Sequence, residues 1–152
     1  MSSKEYESAD LILKLYEMRR EPVMREARNW MIGFFPESVQ DIMQTMVNPQ
    51  TSAYYRMVTT YWDMAASFVN NGAIDEKMFT DAAGEHVIVF SKIEPFLSEL
   101  REAIGSPNAL KNLETLVMKM PNAKETLASR REMMKRWKQA REEMAKAAPS
   151  QG

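Results

Sequence analysis

The sequence predicts an all-α protein: a multi-helix up-and-down bundle of about six to eight helices, closing with a long C-terminal helix. Three observations predict it. Apolar residues recur at steps of three and four along most of the 152 residues. The apolar stretches are divided by pairs that stop or start helices: Asn48-Pro49, Asn71-Gly72, Ser106-Pro107 and Pro121-Asn122. The connections between them are short, which favours antiparallel neighbours.

The first helix is expected to start at Ser8 as N-cap and to carry Leu11, Ile12, Leu15 and Tyr16, with Asp10 and Lys14 as an exposed i,i+4 pair. Pro22 interrupts it and suits the first turn of a second helix, which buries Val23, Ala27, Trp30, Met31 and Phe34 until Pro36. A short helix from about Ser38 to Val47 presents Val39, Ile42, Met43 and Met46. Behind Asn48-Pro49, two apolar rows run side by side. Tyr54, Val58, Tyr61, Ala65 and Phe68 form one, and Tyr55, Trp62, Ala66 and Val69 the other. A helix so widely apolar is central.

Asn71-Gly72 ends that helix, because glycine tolerates a left-handed C-cap. Asp75 caps a short helix with Met78 and Phe79, closed by Gly84. The run from His86 to Phe90 reads as a strand in isolation. In a wider window, His86, Phe90, Ile93, Leu97, Leu100 and Ile104 hold one helical face, kinked at Pro95. Gly105 stops it, Ser106-Pro107 opens the next helix with Leu110, Leu113, Val117 and Met120, and Pro121-Asn122 leads into a last helix running to about Ala147. The reading is one helical domain over residues 1–148 and a disordered tail at 149–152.

No stretch approaches the roughly 20 apolar residues that span a bilayer, and there is no cysteine for disulfide or thiolate chemistry. A cytoplasmic setting is expected. The net charge of −1 is uneven. Residues 1–122 carry 12 Lys/Arg against 17 Asp/Glu, and residues 123–152 carry 8 against 4. An acidic body with a basic final segment suits association with itself, a second copy or an acidic partner.

Three segments carry a resemblance: Glu17–Arg28, with Glu21-Pro22-Val23-Met24 at its centre; Asn70–Glu76, with Asn71-Gly72; and Asn108–Glu114. Together they resemble a family of small bacterial helical proteins known only as a domain of unknown function, and the likeness runs from about Leu11 to Val117. It implies a helical fold and brings no catalytic residues. Many members carry membrane-spanning helices ahead of this domain, and no stretch of this sequence is apolar enough to be one.

His86, the only histidine, falls on an apolar face near a helix start. Its plain reading is a core histidine satisfied by a backbone or carboxylate partner; the alternative is a ligand, including haem with a methionine opposite. The residue three before it is Ala83, so a di-iron Glu-x-x-His motif is absent. Among the methionines, Met18, Met24, Met31, Met43, Met46, Met57, Met64 and Met118 read as core filler. Met133, Met134 and Met144 suit an adaptable binding surface. Asp63 reads as part of a polar stripe or as one member of a buried ion pair, and Arg25 and Arg28 as a solvated, salt-bridged face.

The last helix carries the functional expectation. At 100° per residue, Arg130, Met133, Met134, Trp137, Arg141 and Met144 share one arc, so two arginines lie on an apolar seam and must snorkel or find carboxylate partners. The expectation is a non-enzymatic interaction module that self-associates through this helix, with Trp137 as anchor, and with no catalytic residue, cofactor or metal. One rival is a helical-bundle enzyme or cofactor binder with a pocket lined by Tyr61, Trp62, Asp63 and His86. Another is nucleic-acid or membrane-surface binding by the basic segment, against which the interspersed glutamates count.

Overall fold

The computed structural model describes residues 3–148; the expected tail at 149–152 lies outside the described residues. The helices are α1 (Ser3–Met18), α2 (Pro22–Ile32), α3 (Val39–Val47), α4 (Pro49–Asn70), α5 (Glu76–Ala82), α6 (Glu85–Ile93), α7 (Leu97–Ile104), α8 (Lys111–Met118) and α9 (Ala123–Ala147). A single 3₁₀ turn at Glu94–Phe96, holding Pro95, joins α6 to α7 as one bent rod. Counted so, the described residues form eight helical rods and no strand, the helical bundle that the periodicity implied.

Most boundaries follow from local chemistry. The first N–H groups of a helix have no helical acceptor, so a side-chain oxygen or a proline resolves them. Glu21 takes the Val23 and Met24 N–H groups at 3.1 and 2.8 Å, with Pro22 opening α2. Ser38, Asn48 and Asp75 cap α3, α4 and α5 through Asp41, Gln50 and Met78. At the other ends, Gly72 (φ 83°) and Gly105 (φ 68°) take the left-handed backbone.

Two expected starts are wrong: the Ser8 hydroxyl serves an N–H that the tertiary fold brings to it, and the chain after Ser106 turns before it coils. Helix α1 already runs from Ser3, and Ser8 lies inside it, fully buried, accepting the Asp75 N–H at 3.0 Å. Ser106-Pro107 does not open α8. Residues 107–110 turn, Leu110 adopts a left-handed φ of 57°, and the helix begins at Lys111.

Helix α4 is the centre, packed by α2, α3, α5 and α8. It buries Val58, Trp62, Ala65 and Ala66 against Ala27 and Met31 of α2 and Leu113 and Val117 of α8. Burying each large apolar side chain contributes about 1.5–3 kcal/mol. Helix α6 brings Val89, Phe90 and Ile93 into the same core. The first half of α9 lies on α6 and α8 through Ala123, Leu127 and Met134.

Candidate functional site

Helix α9 changes character at Lys135. Up to Met134 it alternates buried and exposed positions; from Lys135 to Ala147 every residue is exposed, and the body is touched at Lys138, whose ammonium lies 5.0 Å over the Phe35 ring. The six residues of the expected seam therefore separate. Met134 is core, Met133 and Arg130 are half-buried on the docked half, and Trp137, Arg141 and Met144 stand on the free half. Met134 is a correction to the expected binding surface: the bundle itself encloses it. Trp137 is 58% exposed and Met144 74%. Among the described residues neither Arg130 nor Arg141 has an ion pair. The neighbouring Arg131 instead reaches into the body, donating to the Ser91 carbonyl at 2.8 Å and lying 3.7 Å from Glu94.

The rival pocket does not assemble. Trp62 and His86 are neighbours, ring centroids 5.7 Å apart, but Asp63 points elsewhere. Its two carboxylate oxygens accept the Leu113 N–H at 2.9 Å and the Asn112 side-chain amide at 3.3 Å. Asp63 is the cap of α8, neither a solvent stripe nor an ion pair. Tyr61 donates its hydroxyl to the Leu15 carbonyl, and burial pushes its pKa up to about 12.

His86 is only 3% exposed, set against Trp62 and Phe79, and burial pushes its pKa down to about 4. The expected partner is missing, since its Nδ1 is sealed and unpartnered. It lines a cavity of about 380 Å³ between α5, α6, α8 and the start of α9, together with Gly84, Leu116, Lys119 and Arg130. Among the described residues no group of three or more His, Asp or Glu side chains is placed to hold a metal ion.

The preceding residue, Glu85, is a hub that periodicity could not reveal. It accepts both Nε and Nη2 of Arg28 and the Trp62 indole N–H at 3.1 Å, with an Arg19 guanidinium nitrogen at 3.8 Å. Arg28 is thus a half-buried tertiary partner, not part of a solvated face. Arg19 also lies over the Tyr16 and Trp62 rings, at 4.5 and 5.2 Å. Lys92 is similarly structural. Its ammonium donates to the Ile32 and Phe34 carbonyls at the end of α2 and sits 3.9 Å over Phe35. Burial, with Lys138 nearby, lowers its pKa to about 8.

The methionine surface lies where core packing was expected. Met18 is 50% exposed and joins Met24, Met57, Met64 and Tyr61 along an open apolar groove between α4 and the α1–α2 corner. Among the described residues no helix is long and apolar enough to cross a membrane.

The family described as a domain of unknown function (DUF4760) matches residues 6–120, from α1 to the end of α8 and short of α9. No curated protein and no solved structure matches the chain.

Proposed function

The chain belongs to the DUF4760 family, a domain of unknown function, and we propose that it works as a non-enzymatic interaction module that pairs with a second copy of itself through the free half of α9. The observation carrying this reading is the run of exposed helix from Lys135 to Ala147, with Trp137, Ala140, Arg141 and Met144 at helical spacing on one side. A lone helix of this length is marginal in water, and a stripe with a tryptophan at its centre gains most by being covered. A second copy is favoured because the chain carries both charges: its body is acidic and this segment basic. Arg141 brings an unpaired guanidinium to that contact. The absence of cysteine fits a cytoplasmic setting.

Light scattering on the full chain and on a version cut after Lys135 tests the reading. The full chain is expected to be a dimer at micromolar concentration and the cut version a monomer with the same helical signature. A full chain that stays monomeric, or a cut version that still pairs, removes the proposal.

A further inference from the structure

We propose that the cavity between α5, α6, α8 and the start of α9 is a binding site for a small organic oxyanion, a carboxylate or phosphate monoester on a short apolar body. Three features converge there. The N-terminus of α6 opens onto it through Gly84, His86 and Val87, and no side chain caps that helix. A Cβ built on Gly84 would meet nothing within 4 Å, so there is open space beside this end of the helix; of its first N–H groups, that of Val87 donates to the Gly84 carbonyl at 3.2 Å. Unsatisfied N–H groups and the positive end of the helix dipole favour an anion at this position.

The second feature is His86, which lines the cavity at 3% exposure and has no side-chain hydrogen-bond partner among the described residues. A neutral imidazole carries one N–H, and no described residue supplies an acceptor for it. The third is Arg130, a half-buried guanidinium on the cavity wall without an ion pair among the described residues. Glu76 and Lys119, also on the wall, neutralise one another at 3.3 Å, so the Arg130 charge is in surplus. Glu85, beside His86 at the start of α6, is held by Arg28 and the Trp62 indole. Val87, Leu116 and Met120 offer the apolar body its contact. The volume, about 380 Å³, suits a ligand of single-ring size. Because Arg130 lies on the docked half of α9, this reading stands whether or not the free half pairs.

Phenyl phosphate, benzoate and inorganic phosphate are titrated into the full chain and followed by backbone amide NMR. Saturable shifts centred on Glu85, His86 and Val87 are expected for at least one ring-bearing probe, with inorganic phosphate weaker because it lacks the apolar body. Arg130→Gln should weaken that binding about tenfold or more with an unchanged melting curve, and Arg130→Lys should restore part of it. His86→Phe, if its spectrum shows the native fold, should weaken binding too. The proposal is overturned by no saturable shift with any probe, by shifts centred on the exposed basic residues from Lys135 to Lys146, or by an Arg130→Gln chain that binds as tightly as the original.

Discussion

Arg28 on α2 and Glu85 at the start of α6, 57 residues apart, meet as a fork: Arg28 Nε lies 3.0 Å from one carboxylate oxygen and Nη2 3.0 Å from the other. The same carboxylate takes the Trp62 indole N–H, so one acid joins α2, α4 and α6. Both side chains are largely buried, and a charge left without its partner there is costly.

Glu85→Gln keeps the shape and removes the charge, leaving Arg28 without its counter-ion. The expected loss is about 2–4 kcal/mol in urea unfolding, with an Arg28/Glu85 double-mutant cycle giving a coupling of about 1 kcal/mol or more. A loss below about 0.5 kcal/mol would rank the fork with ordinary surface pairs.

His86 gives stability a dependence on pH. Burial holds its folded pKa at about 4, below the ordinary 6.5. Between those values the unfolded chain takes up a proton that the folded chain refuses. This contribution is therefore complete above pH 6.5 and drains as pH falls toward 4, by on the order of 3 kcal/mol in all. His86→Phe fills the same place beside Trp62 and Phe79 without titrating. The difference in unfolding free energy between the two chains should tilt in favour of the variant from pH 7 to pH 4; a flat difference contradicts the assignment.

The two halves of α9 should respond oppositely to truncation. Among the described residues, removing everything after Lys135 takes away only exposed ones, with the Lys138 contact to Phe35 among the losses, and should leave the melting temperature of the remaining monomer within a few degrees of that of the intact protein under dilute, unpaired conditions. Cutting after Asn122 also removes Leu127, which is fully buried, and Met134. The single substitution Leu127→Ala should already cost about 2–5 kcal/mol. Equal stability of the two truncated chains would show that α9 does not dock as described.

What the sequence made legible was whatever local chemistry decides. Asn48 and Asp75 cap the helices they precede, because a short polar side chain finds the next free N–H within its own turn. Trp62 and its neighbours are central because two apolar rows run side by side along α4, leaving only a narrow polar stripe at Arg56, Thr60, Asp63 and Ser67. The illegible features all depend on distant partners. Ser8 has the residue type of a cap, but its hydroxyl accepts from Asp75, 67 residues away. Glu85 drew no reading from the sequence, since nothing in its spacing points to Arg28, 57 residues away. The six seam residues of α9 share an arc, but an arc does not say where along its length the body ends. That boundary, between Met134 and Lys135, decides which of them the body encloses and which stay exposed.

Asp63 supplies the sharpest test between a structural and a chemical acid. It sits on the central helix yet serves α8, which begins after a left-handed Leu110 and has no cap of its own. An external carboxylate at the N-terminus of a helix satisfies orphan N–H groups and sits favourably in the dipole field. Asp63→Ala should therefore cost about 1–2 kcal/mol, with amide exchange quickening first in the opening turn of α8 at Leu113. Asp63→Asn retains an oxygen for the Leu113 N–H while losing the charge, so it should recover roughly half of that loss. If Asp63→Ala left α8 as protected as before, the carboxylate would be free for some other task, and the cap would not explain its place beside Asn112.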